Sequence, residues 1–300
     1  MDLPDAEGAS LMKECMQADV TIMFGRVQDF SADDNDNIVK LADDWYFTVP
    51  RQGLFLMRCS EFYFEISNGS MIVVDTRGRP ADDPTLTTFI LGSAFGVIGM
   101  QRDVIPIHGA AVAAGNAATI ITGFTGSGKS AILSALVKEG YRYLADDVCF
   151  VLTDAGKPFV CASYPQRKVA AASARELGED VSGAAIVKES EKEKYSIRRP
   201  SEWCSDKLPL QCIVEIVPGV RENNPVFSPE IRRVSGHASL GMVLRNRYRV
   251  QFANTIGVPP DRMKRLLEIT SSVSSFQIVR PESGFPVKET ARMIAEQCFR

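Results

Sequence analysis

Long apolar runs are missing from this chain of 300 residues. No stretch reaches the roughly 18 apolar residues that a membrane-spanning helix needs, so no membrane association is expected. A strong charge of either sign is missing too. The net charge is -3, which offers nucleic acid or anionic lipid no global attraction, and any basic site must be local. CxxC pairs are absent among the seven cysteines, at 15, 59, 149, 161, 204, 212 and 298. An odd count without such pairs argues against a zinc site or a disulfide scaffold and for reduced, packed thiols. The opening "MDLPDAEGAS" lacks the basic-then-apolar pattern of a signal peptide, so the expected location is cytoplasmic. There is no internal repeat and no low-complexity tract. Histidine is scarce, with two in the chain, so the surroundings of each are informative.

What is present is an ordinary globular composition, 45% hydrophobic and 24% charged, in a length that suits one large domain or two modest ones. Residues 19–75 carry short runs of β-branched and aromatic residues, such as "DWYFTVP", "LFLMRC" and "EFYFEIS", broken by Gly, Pro, Asn and Asp. They read as a small antiparallel sheet, with "SADDNDN" as an acidic loop. The turn-rich "RGRPADDP" marks a joint, and the expected division is a β-rich module over 1–80 and an α/β domain over 81–300. "TLTTFILGSAFGVIGMQR" reads as a buried helix. From residue 104 strands and helices alternate, which predicts an α/β fold. "LQCIVEIVPG" and "SSFQIVR" read as strands, and 259–270 and 287–298 as amphipathic helices. The charged stretch 188–203 reads as a mobile, solvated segment.

Gly123-Phe124-Thr125-Gly126-Ser127-Gly128-Lys129-Ser130 satisfies the pattern G-x4-G-K-[ST]. The glycines let backbone amides turn inward around phosphate oxygens. The helix opening at Lys129 adds the positive end of its dipole. Lys129 is expected to reach the β- and γ-phosphates and the Ser130 hydroxyl to hold Mg2+. The preceding "AATIITG" reads as a strand, and "KSAILSALVKEG" as a helix that buries Ile132, Leu133, Leu136 and Val137 and stops at Gly140.

Next comes "YRYLADDV", with Asp146 and Asp147. In a right-handed βαβ unit the second strand runs parallel to the first. Both carboxylates are therefore expected at the end of a strand adjacent to the phosphate loop. One of them suits Mg2+, and the other suits taking a proton from an attacking hydroxyl. His108, in "IPIHGAAV", precedes the strand that leads into the loop. Beside Asp146 its imidazolium would keep that carboxylate ionised. His237, in "VSGHASLG", has no such context.

These residues together resemble the HPr kinase/phosphorylase family, which carries a His-Gly, a GxxGxGKS loop, a helix and a nearby Asp-Asp in that order. The resemblance covers residues 104–152 well, is loose to about 280 and is absent before 80. It implies an α/β P-loop kinase domain of the phosphoenolpyruvate-carboxykinase-like type that uses ATP and Mg2+ to phosphorylate a serine hydroxyl. It implies Asp146 as base, Asp147 with Ser130 at the metal, and His108 in support of the base; the two aspartate roles are exchangeable. The front half looks more like the HPr-kinase-like proteins found beside lasso-peptide biosynthesis enzymes, which implies a precursor peptide, often its last serine, as substrate. Arg198 and Arg199, with Arg245, Arg247 and Arg249, are then candidates for binding a terminal carboxylate or phosphate. The 188–203 segment is a candidate lid. Two other readings stay open, a P-loop switch without transfer and a small-molecule kinase. A homo-oligomer is compatible with the sequence.

Overall fold

A computed structural model describes residues 20–30, 38–59, 61–102, 104–189, 192–219, 228–281, 284 and 286–299. The opening decapeptide and the acidic loop at 31–37 lie outside the described residues. Among the described residues no helix is long and apolar enough to cross a membrane. The chain divides into two compact units, one built from 16–104 with 249–258, the other from 105–248 with 259–300.

The first unit holds β1 (Thr21–Phe24), β2 (Val39–Ala42), β3 (Trp45–Arg51), β4 (Leu54–Cys59), β5 (Phe62–Ser67) and β6 (Met71–Asp75). They form one sheet in the order β1-β6-β5-β4-β3-β2. The pairings from β6 to β2 are antiparallel, as expected, but β1 runs parallel to β6. The buried stretch after the sheet is helical, as α1 (Pro84–Phe89), a π turn (Ile90–Ala94) and α2 (Phe95–Gln101). Asp83 starts it by accepting from the Thr85 amide at 2.8 Å, which satisfies one of the orphan donors of a helix start. Gln101 ends it by accepting from Gly69 and donating to the Ile66 carbonyl. Phe252 sits against Phe47 and Phe55, with ring centroids 4.6 and 4.8 Å away. The unit therefore does not stop near residue 80. An apolar sheet face needs a cover, and the helical stretch to Gln101 and the segment 249–258 belong to the same unit.

The second unit begins with β7 (Ile105–Ala114) and β8 (Ala117–Gly123). They pair antiparallel up to Ala114 and Ala117, so Gly115-Asn116 is a two-residue hairpin turn. There follow α3 (Lys129–Lys138), β9 (Arg142–Asp154), β10 (Lys157–Cys161), β11 (Arg167–Ala170), α4 (Ala171–Leu177), β12 (Ala185–Glu189), β13 (Lys192–Ile197), β14 (Leu208–Pro218), β15 (Glu230–Val234) and α5 (His237–Arg245). After α6 (Val250–Ile256), which belongs to the first unit, come α7 (Pro260–Ser272), β16 (Ser274–Arg280) and α8 (Val287–Cys298). The main sheet has the order β10-β9-β7-β8-β14-β16-β15, and β10 also pairs with β14. β8, β14 and β16 are parallel. Ile132, Leu133, Leu136 and Val137 of α3 pack with Val214, Ile216, Ile278 and Ile294 in one core.

Two expectations change here. β9 is not adjacent to β8, because β7 lies between them and is antiparallel to both. The 188–203 stretch is not a solvated strap. Its described residues form the end of β12 and β13, in a separate sheet of order β11-β13-β12, and a 3-10 turn at Pro200–Glu202. The cysteines fit the expected pattern of packed thiols: Cys59, Cys149, Cys161, Cys204, Cys212 and Cys298 are free and buried.

Candidate active site

The phosphate loop joins the end of β8 to α3. Gly123 has φ 141°, and a Cβ there would lie 2.5 Å from the Ile216 carbonyl oxygen and 2.8 Å from Ser127 Oγ. Only glycine fits such an approach between neighbouring parallel strands. Gly126 and Gly128 also have positive φ, as the inward turn of the loop requires. Phe124 and Thr125 lie at its exposed tip. Ser127 Oγ is buried and has no hydrogen-bond partner. Lys129 is buried and donates from Nζ to the carbonyls of Gly123 (2.9 Å) and Phe124 (3.0 Å). Burial pulls its ammonium down to about 8, against the opposing charges of Asp147 and Asp146.

Asp146 and Asp147 sit in the middle of β9, not at its end. Adjacent residues on a regular strand point to opposite faces. Asp147 breaks that alternation with φ 85°, a left-handed conformation that Asp tolerates better than most residues. Both carboxylates consequently reach Lys168. Asp146 Oδ2 accepts from its main-chain N–H at 2.7 Å, and Asp147 Oδ2 lies 3.8 Å from its Nζ.

The pairing of the remaining groups is specific. Ser130 Oγ donates to Asp146 Oδ1 at 3.2 Å. His108 Nδ1 lies 3.4 Å from Asp147 Oδ1 and 3.2 Å from the Asp147 carbonyl oxygen. The imidazole is thus beside Asp147, where Asp146 was expected. Register explains this: His108 opposes Val148 on β9, and Gly109 opposes Asp147. Gly109 is there because a Cβ would lie 2.6 Å from the Ile121 carbonyl oxygen. The His108 backbone is fixed at both ends, its N–H donating to Asn246 O and its carbonyl accepting from Thr122 Oγ1. Burial pushes the Asp146 carboxyl up, with the Lys168 amide acting in the opposite direction.

Three of the candidate arginines have partners within the chain. Arg199 is spent on Glu179 (3.2 Å), Glu202 (3.2 Å) and Asp180 (3.3 Å). Arg198 lies over the Tyr164 ring at 5.2 Å. Arg245 forks onto buried Glu215, which also accepts from Asn246 and Gln277. His237 opens α5, in a groove it shares with Lys264 and Leu267.

Lys168, from β11, is the cation beside the carboxylates, and β13 carries Lys194 on the same face; the sequence singled out neither. Both strands are short and charge-rich, so neither has an apolar pattern to announce it. Arg167, next to Lys168, fastens β11 to the loop helix. It is 1% exposed and donates to Ser134 Oγ (3.0 Å), Glu179 Oε1 (2.7 Å) and Glu202 Oε2 (3.1 Å). Removing one partner of a buried ion pair costs about 3–5 kcal/mol. Arg167→Met is expected to lose stability of that order in urea unfolding. The double variant with Glu179→Leu should recover part of it, and a single variant as stable as wild type would contradict the account.

Comparison with protein-family models finds no match, and comparison with curated proteins finds none. Among solved structures the chain is similar to the Hpr(Ser) kinase/phosphatase from Coxiella burnetii, at 11% identity and TM-score 0.33, over 64% of this chain and 93% of that one. The assignment of a function therefore rests on this chain's own residues.

Those residues fit a nucleotide phosphate and its metal. The loop turns inward around an unpartnered buried hydroxyl, Ser127, and a desolvated lysine. Among the described residues no group of three or more His, Cys, Asp or Glu could hold a metal alone. Mg2+ does not require one, since it is usually bound by one or two carboxylates together with substrate phosphates and water. Ser130 and Asp146, hydrogen-bonded to each other, could hold it.

Proposed function

We propose that this protein is an ATP- and Mg2+-dependent kinase that phosphorylates a serine hydroxyl of a peptide. One observation carries the reading: two adjacent carboxylates are divided between two partners, Asp146 with the loop serine and Asp147 with His108. A nucleotide switch needs the first pairing only. The second gives a half-exposed carboxylate, oriented by an imidazole, within the same site. That is what taking a proton from an incoming hydroxyl requires.

Bound Mg2+ would supply charge neutralisation between the phosphates. In this assignment Ser130 and Asp146 hold the metal side. The loop amides and Lys129 hold the nucleotide. Asp147 takes the proton, and His108 fixes the Asp147 carboxylate. Of the two exchangeable role assignments, the pairing favours Asp147 as base.

A peptide acceptor is favoured by the first unit. Its strand β1 lies at a sheet edge and exposes Met23 and Phe24. An edge strand can pair with an extended peptide backbone. The narrower substrate we propose is a ribosomal precursor peptide of lasso-peptide biosynthesis, phosphorylated at or near a C-terminal serine. Incubation with Mg–ATP and such a peptide should add one phosphate, located to serine by mass spectrometry. Phosphate on histidine, on a metabolite or nowhere would defeat the reading.

A further inference from the structure

We propose that β11 and β13 build a second phosphoryl-binding subsite, in which Lys168 and Lys194 hold the oxygens of the phosphoryl group as it leaves the nucleotide. This rests on the kinase reading above and extends it to residues outside the phosphate loop.

Strand register carries the inference. Lys168 opposes Ser196, and Ala170 opposes Lys194. Opposed residues of an antiparallel pair share a face, as do residues two apart on one strand. Lys168, Ala170, Lys194 and Ser196 therefore project from the same face, with the two lysines as diagonal neighbours. That face looks onto the carboxylates. The Lys168 amide holds Asp146, and its Nζ lies 3.8 Å from Asp147. Lys194, opposite Ala170 on the same face, extends this basic surface next to Lys168. Two ammonium groups thus share the face that reaches the carboxylates, in a chain whose net charge is -3. Local positive charge of this kind calls for a multiply charged anion.

The chemistry assigns the division of labour. The acceptor oxygen bonds to the γ-phosphorus as the bond from that phosphorus to the bridging oxygen breaks. The hydroxyl proton passes to Asp147, and the electron pair of the broken bond leaves with ADP. Nothing is oxidised or reduced. The three equatorial oxygens carry charge throughout the transfer, and fixed cations around them stabilise it. Lys129 and the loop amides travel with neither fragment but are engaged on the nucleotide side. Lys168 and Lys194, on a separate sheet, close the acceptor side.

The test uses calorimetric titration of the full chain with Mg–ADP, alone and with aluminium fluoride, which mimics the phosphoryl group in flight. Lys168→Met and Lys194→Met should keep the ADP Kd within about three-fold. Each should weaken the fluoride complex by roughly ten-fold or more, the mark of contacts made chiefly in the transition state. Lys168→Arg should restore part of the loss. Lys194→Met, at a half-buried strand position, keeps the test open if Lys168→Met fails to fold. Wild-type affinity for the fluoride complex in both Met variants overturns the proposal. So does an equal loss for ADP and for the complex, which would mean general charge attraction only. If the wild type makes no phosphoserine but the variants still lose the fluoride complex, the subsite stands and the serine-kinase reading falls.

Discussion

Asp147→Asn is expected to lower kcat by about 10²–10⁴, the usual worth of a general base, while Mg–nucleotide binding stays within a few-fold of wild type. Asparagine is the right probe, because the position has φ 85°. Asn tolerates the left-handed region as Asp does, whereas Ala would add backbone strain to the loss of the carboxylate. Asp146→Asn should behave differently. Its amide can still accept from Lys168 N–H through one atom and face Ser130 with the other, so the fold is kept. The metal, however, loses its anionic ligand. The expected result is weak, Mg2+-insensitive nucleotide binding, with part of the turnover recovered at high Mg2+. Titration of Mg–ATP with and without excess metal separates the two variants. If Asp146→Asn binds normally and loses chemistry, the roles are exchanged; if neither variant changes turnover, the site is not catalytic.

This division was only partly legible in the sequence. The loop, its helix and the Asp-Asp pair were readable because each depends on local spacing: a glycine where the chain must turn, apolar residues on one helical face, a strand after a short crossover. Which carboxylate meets which partner was not readable. It depends on β7 lying between β8 and β9, and strand order is a tertiary fact. One signal was available, since the two-residue Gly115-Asn116 turn joins two strands and makes them a hairpin. A hairpin entering the sheet at that point sets Gly109 and Ala110 opposite the aspartates and His108 next to them. The left-handed Asp147, by contrast, has no sequence signature of its own. The same holds for Lys168 and Lys194, which lie in short charged strands; Arg167, next to Lys168, is held by Glu179 and Glu202. Charge in that stretch looks like solvation from sequence alone, and Arg199 like a ligand-binding fork. Arg199 is instead held by Glu179, Asp180 and Glu202.

Lys129→Met is expected to abolish transfer without costing stability at neutral pH. The first half follows from position. Lys129 is the one loop side chain with a positive charge, and Met keeps the length without the ammonium. The second half follows from burial. A fall from 10.5 to about 8 in the folded protein corresponds to about 3 kcal/mol of unfavourable burial of the charged form. The sign runs in one direction. Between about pH 8 and 10.5 the unfolded chain binds the proton and the folded protein does not, so wild-type stability gains as pH rises through this window. Below about 8 the cost is present in full. Methionine carries no such cost, although it leaves the Gly123 and Phe124 carbonyls without their donor, which offsets about 1 kcal/mol or more. In urea unfolding at pH 7 the variant should be at least as stable as wild type, and its advantage should shrink from pH 8 to 10.5. A wild type that is the more stable at pH 7, with a difference that does not change with pH, would show that the lysine is not held at a cost. Unchanged turnover in the variant would remove the loop from the mechanism altogether. The two carbonyls that now hold the ammonium are the contacts it would give up for phosphate, so nucleotide should raise its pKa and cancel the penalty. A site that holds its lysine at a cost until an anion arrives gains its stability from the ligand.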